Sequence, residues 1–262
     1  MLSTGLLSVT FRKLSVEEII GLAVANGLNG IEWGGDIHAP PRDLAMVARV
    51  ARLTKEADLR VCAYGSYFRL GSEKAEDPTF AEVLEAAATL GAPLIRVWVG
   101  TAGSADTTPE KRAAIIAQAK VIATQAQARG IIVASEWHGG TLTDTDASAQ
   151  DFLAQVDHPN FKTLWQPPVG QADADATAGL KAILSRVVHV HVFSWLGTPA
   201  NITRWPLAKR EAAWRTWLAL AAQAPMPVTA ALEFMMNDDP AMLPGDAMLL
   251  NRIVTDVNAA AG

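Results

Sequence analysis

Eight short runs rich in β-branched and other apolar residues alternate along this chain with eight longer helix-like stretches, and no other pattern in it restricts the fold so strongly. The strand-like runs span residues 4–10, 30–35, 60–67, 94–100, 131–137, 161–166, 187–193 and 228–235. The segments 15–26, 42–57, 78–90, 109–129, 145–156, 174–184, 207–223 and 240–258 carry Ala, Leu, Glu and Lys at amphipathic helical spacing. Helix punctuation falls in the same places. Ser15 precedes Glu18 by three residues as in a capping box, Pro78, Pro109 and Pro240 stand near helix starts, and Gly27, Gly91 and Gly130 stand where helices stop. Strands joined by helical crossovers pair in parallel and are covered on both faces. Eight such units, with no second composition zone, linker or short repeat, predict one α/β domain over residues 1–262, closed as a (β/α)8 TIM barrel. The longest irregular stretches, about 100–108, 138–144 and 194–206, are the loops expected to gate a site.

Apolar residues fill 50% of the 262 positions, ample for a core. A formal charge of −5, with Lys and Arg dispersed, gives no footprint for a nucleic-acid backbone, and none is expected as a partner. No apolar run approaches the roughly 18 residues of a membrane span. The N-terminal MLSTGLLSVTFRKL lacks the basic-then-apolar order of a leader, so the cytoplasm is the expected location. The single cysteine, Cys62, cannot form an internal disulfide and reads as a small buried hydrophobe. Gly34-Gly35 and Gly139-Gly140 match neither phosphate-loop nor dinucleotide fingerprints, and no G-x-S-x-G or H-E-x-x-H occurs.

In such barrels chemistry gathers where strand C-terminal ends converge. Four polar residues fall there on the last four strand-like runs: Glu136 in IIVASEWH, Gln166 in FKTLWQPP, His191 in VVHVHVF and Glu233 in VTAALEF. A lone strand-end Glu is ordinarily a solvated or salt-bridged carboxylate, and a lone strand His a core group. Four together on one rim point to a divalent metal. Oxygen donors with one imidazole suit Mn²⁺, Mg²⁺ or Co²⁺, and the lack of thiolate argues against structural zinc.

The order of these residues, spaced by 30, 25 and 42 positions, together with GIEWGGDIHAP on the second run, resembles the xylose isomerase-like barrels of sugar isomerases and epimerases, notably the D-tagatose 3-epimerase type. The resemblance runs the whole chain. It implies that Glu136, Gln166, His191 and Glu233 stand where that family's Glu, Asp, His and Glu hold Mn²⁺ or a similar ion, and that Glu136 and Glu233 exchange protons with a bound ketose. Three departures stand out. Gln166 replaces the Asp, so two carboxylates remain to neutralise the ion; Val169 replaces a substrate-binding His, and Gly197 lies roughly where the family has an Arg.

The expected function is metal-dependent isomerisation or epimerisation of a keto sugar through an enediolate, with the two glutamates as acid and base. The same enediolate can expel a leaving group, as in the inosose dehydratases and keto-glycoside lyases that share this barrel, which makes a lyase the alternative. A non-catalytic sugar-binding barrel is the reading of another class, and retention of both glutamates argues against it. The endonuclease IV branch needs more His and acidic ligands and a basic face. The expected partner is a small carbohydrate, and relatives are often homo-oligomers.

Further candidates surround the rim. His138, two residues after Glu136, points the same way and is placed to touch a substrate hydroxyl. His189 has the same relation below His191 and reads as an interior hydrogen-bonded group. Glu32 and Arg96 read equally as substrate contacts or as a buried ion pair. His38, before Pro40-Pro41, is placed to cover the mouth. Trp33, Trp98, Trp137, Trp165 and Trp195 lie at or near strand ends, and of these Trp165 and Trp195 are expected to present a face to a sugar.

Overall fold

In a computed structural model, which describes residues 1–198 and 200–261, ten strands form in chain order. They are β1 (Leu2–Leu7), β2 (Gly30–Gly34), β3 (Arg60–Leu70), β4 (Leu94–Val99), β5 (Ile132–Ser135), β6 (Phe161–Trp165), β7 (Val187–Val192), β8 (Trp195–Thr198), β9 (Asn201–Arg204) and β10 (Val228–Leu232). Eight of them pair in parallel as a closed ring, β1-β10-β7-β6-β5-β4-β3-β2, so that Leu2 pairs with Val228 and the two ends of the chain seal the barrel. The helices between them are α1 (Val16–Ala25), α2 (Leu44–Glu56), α3 (Phe80–Leu90), α4 (Pro109–Gln127), α5 (Asp146–Val156), α6 (Asp173–Ile183), α7 (Glu211–Ala221) and α8 (Leu243–Ala261). This is the (β/α)8 barrel that the alternation predicts.

Local chemistry sets the helix ends. The Ser15 hydroxyl accepts from the Glu18 N–H while the Glu18 carboxylate accepts from the Ser15 N–H at 2.7 Å, closing the expected capping box. Pro109 opens α4, and Gly91 ends α3 at φ +72°, a conformation that any side chain makes costly. The main core lies between the ring and its helices, where Trp214, Trp217, Phe152 and Phe161 are fully buried. Each such side chain contributes about 1.5–3 kcal/mol. A smaller cluster of Ala63, Leu94, Ala134 and Val188 packs separately from it.

Several boundaries differ from expectation: β3 runs on to Leu70, and β5 and β10 stop at Ser135 and Leu232, so that Glu136 and Glu233 sit just past the strand ends. The first strand ends at Leu7, because Ser8–Phe11 turns as a 3₁₀ segment: the Ser8 hydroxyl accepts from the Gly34 N–H at 2.8 Å, and the Thr10 hydroxyl from the Phe234 N–H at 3.1 Å. Helix α7 starts at Glu211 after a 3₁₀ turn, Leu207–Arg210. The stretch 194–206, read as irregular, contains the antiparallel hairpin β8–β9. Cys62 is a free, half-buried thiol on β3. Among the described residues no helix is long and apolar enough to cross a membrane.

Candidate metal centre and active site

His191 on β7 is fully buried, and its two ring nitrogens face opposite ways. Nε2 bonds the Glu32 Oε2 on β2 at 3.1 Å, across the interior of the ring, while Nδ1 looks toward the rim. Around Nδ1 stand Gln166 Oε1 at 3.0 Å, Glu233 Oε2 at 3.6 Å and Glu136 Oε1 at 3.7 Å. The sequence-predicted ligand set is therefore brought together, with one oxygen from each side chain converging on one nitrogen. Gln166 donates its amide N–H to the Trp137 carbonyl at 2.6 Å, which leaves its oxygen pointing into the cluster. Three carboxylate or amide oxygens and an imidazole nitrogen fit a divalent ion that favours oxygen.

A second layer holds these groups. Arg96 on β4 is buried and donates through Nε to Glu32 Oε1 at 3.1 Å and through Nη1 to Glu136 Oε2 at 2.6 Å. The Trp98 indole N–H donates to the same Glu136 oxygen. Arg96 thus braces the carboxylate that orients His191 and a carboxylate of the cluster at once, which is the outer support that metal ligands need. Gly65 makes room for the brace: a Cβ there would lie 2.7 Å from Arg96 Nη2 and 2.9 Å from Glu32 Oε1. His189 Nε2 lies 3.0 Å from Glu32 Oε2 but off the line of its N–H, so His191 takes the aligned bond.

The two cluster glutamates differ electrostatically. Burial pushes Glu136 upward, but the charges of Arg96 and His191 outweigh it and hold the carboxyl below its usual range. Glu233, whose carboxylate accepts no hydrogen bond among the described residues, is raised: burial dominates, and repulsion from Glu136 adds to it. Burial favours neutral His191, yet Glu32 and Glu233 prevail and raise it to about 9. Glu32 stays ionised well below its usual value, because His191, His189 and Arg96 overcome its burial. In the metal-free protein the His191 shift stabilises the fold fully below about pH 6.5, and that contribution is lost as pH rises through about 9.

Metal ligation needs the Nδ1 proton gone. Titration calorimetry of the metal-free protein with Mn²⁺ at pH 7.5, in buffers of different ionisation enthalpy, should therefore show release of at least about one proton per ion. No release would mean that His191 is not a ligand. Gln166→Asp should tighten Mn²⁺ binding by roughly tenfold, since a third carboxylate joins the cluster. An unchanged Kd would remove Gln166 from the set.

The other candidates divide by strand alternation. Arg96 spends Nε and Nη1 on Glu32 and on Glu136, so the buried pair is realised. Trp165 does not line the mouth. It is next to Gln166, and with Gln166 turned into the cluster the two-residue period sends Trp165 outward, against Trp217 at 5.4 Å and Trp214 at 6.3 Å. His38 is turned inward as well, with Nδ1 3.1 Å from the Ser8 hydroxyl and Nε2 3.1 Å from the Leu14 carbonyl, so it pins two loops. His138 is half-buried, 4.8 Å from the Trp98 ring, and lines a cavity of about 300 Å³ with Gln166, Trp137, Val169, Phe193 and Trp195. Trp195 stacks on Phe193 at 4.2 Å there. Gly197 falls in the hairpin at φ +107°. What sequence reasoning missed is Glu32 as the group orienting His191; the polar Glu inside the apolar run GIEWG was its only signal.

A 3-dehydroshikimate dehydratase of Bacillus anthracis is 28% identical over 198 residues, 71% of this chain and 70% of the relative. The crystal structure of a probable 3-DHS dehydratase involved in petrobactin synthesis, from the same organism, matches with TM-score 0.80 at 20% identity, over 95% of this chain and 98% of that one. A 3-keto-D-glucoside 4-epimerase from E. coli matches with TM-score 0.69 at 16% identity, over 96% of this chain and 99% of that one. A D-allulose 3-epimerase from Methylomonas sp. gives TM-score 0.69 at 17% identity, over 96% and 97%. The relatives are named as enzymes of two kinds, and at these identities the structural likeness shows the fold alone. A family model for the xylose isomerase-like TIM barrel matches residues 20–240, and with the closed ring of eight parallel strands this establishes that the chain belongs to that family.

Proposed function

We propose that this protein is a metal-dependent lyase that removes water from a polyhydroxylated ketone, with Glu233 as the mobile proton carrier and Glu136 as a fixed anionic ligand. The observation that carries this reading is the asymmetry of the two glutamates. Glu136 has one oxygen tied to Arg96 and the Trp98 indole, whereas Glu233 is unbraced and raised toward neutrality. Two-sided epimerisation calls for two carboxylates that both gain and lose protons. One base that takes a proton and returns it to a leaving group suits elimination.

Glu136, Gln166, His191 and Glu233 would hold the ion, which supplies Lewis-acid polarisation of the substrate carbonyl when bound. Glu233 takes the proton from the carbon beside the carbonyl. It then gives that proton to the hydroxyl on the next carbon, the C–O bond breaks, a C=C bond forms and water leaves, with no change of redox state. Arg96 keeps Glu136 ionised throughout. His138 orients a hydroxyl from the cavity wall, and Phe193 and Trp195 pack against the carbon skeleton and exclude water. The dehydratase relative supports the same outcome.

Epimerisation is the second reading, supported by the fold of the two epimerases. Incubation of Mn²⁺-loaded protein in D₂O with 3-dehydroshikimate, 3-keto-glucosides and ketohexoses separates the two. A product lighter by one water is expected. A product of unchanged composition carrying solvent deuterium would replace the lyase reading by the epimerase one.

A further inference from the structure

We propose that Arg69 forms an anion subsite at the barrel mouth and that the substrate carries a carboxylate; this rests on the proposed reading of the centre as one that acts on a hydroxylated ketone. Arg69 lies near the C-terminal end of β3, paired in register with Trp98 on β4. Its guanidinium sits over the Trp98 ring at 3.9 Å. The same indole donates to Glu136 and packs against His138, so Arg69 stands one side chain away from both the cluster and the cavity wall.

Its donors are unspent. Arg12 is paired with Asp36, Arg204 with Asp238, and Arg96 with Glu32 and Glu136, whereas among the described residues Arg69 has no ion pair and no side-chain hydrogen bond. Asp77, which faces it electrostatically, accepts from the Ser72 hydroxyl and stands beyond ion-pair distance. Stacking on Trp98 fixes the plane of the guanidinium and leaves its fork free for a planar, two-oxygen partner.

The charge count at the mouth points the same way. Glu32, Glu136 and Glu233 would be balanced by Arg96 and a divalent ion, so the centre itself keeps no spare positive charge and Arg69 is the cation that an acidic substrate would meet. Asp144, which lines the cavity with His138, disfavours a dianion there and so favours a singly charged carboxylate over a phosphate.

The test is calorimetric binding to the Mn²⁺-loaded protein, using quinate as the carboxylate probe, myo-inositol as the neutral one and inositol 1-phosphate as the phosphate one. Arg69→Gln should weaken quinate roughly tenfold or more while leaving inositol unchanged, and Arg69→Lys should restore part of the loss. Because Arg69 is half-exposed and unpaired, the melting temperature should stay near wild type. Equal quinate affinity in wild type and Arg69→Gln would overturn the subsite, and preference for the phosphate would overturn the carboxylate assignment. If the wild type turns over no ketone yet quinate still depends on Arg69, the subsite stands and the lyase reading falls.

Discussion

Glu233→Gln is expected to lower kcat by roughly 10²- to 10⁴-fold, the share a positioned proton carrier supplies, while the fold and the cavity are retained. The amide keeps an oxygen toward the cluster; it loses a charge against the ion, which excess Mn²⁺ offsets, and the capacity to take a proton, which no metal restores. Excess Mn²⁺ should therefore not restore turnover. Glu136→Gln should behave differently: its loss is one of charge against the ion, so activity should recover substantially as Mn²⁺ is raised. Kinetics of both variants across a metal titration check the distinction. Equal, metal-independent losses would favour two proton carriers and the epimerase mechanism.

Arg96→Leu should destabilise the metal-free protein by about 3–5 kcal/mol, the cost of leaving buried carboxylates without their counter-charge. Glu32 and Glu136 are both stranded by the change, and each is nearly inaccessible to water. Denaturant unfolding measures the loss. Arg96→Lys should recover little of it, because one ammonium on a flexible stem cannot reproduce the two directions in which Nε and Nη1 donate. A Lys variant as stable as wild type would show that charge alone, and not the fork, holds the pair.

The ring and its helices are legible in the sequence because each βα unit repeats the same change, from a short run buried on both faces to a longer amphipathic stretch of period 3.6. The ligand set is legible for a related reason: strand ends share one rim whatever lies between them. Trp165 is misread because nearness to the rim in sequence says nothing of which face a strand residue takes until its neighbour's direction is known. The hairpin β8–β9 escapes notice because its strands are four residues each, with polar side chains and a glycine. Glu32 is harder still. Its role depends on a partner 159 residues away, and no local pattern encodes that contact.

That separation has a kinetic meaning. Along the ring β1 and β10 lie between β2 and β7, so the Glu32–His191 bond exists only when the earliest and latest parts of the chain have met. Contacts of such sequence separation require the largest loop closure and form late. A nascent chain that has reached β6 already carries Glu32, Arg96, Glu136 and Gln166, but neither the imidazole that Glu32 orients nor the last carboxylate. On the proposed reading, ion uptake would report completed folding: half-made or misclosed barrels would lack the centre, and chemistry would begin only at the step that joins the first strands to the last.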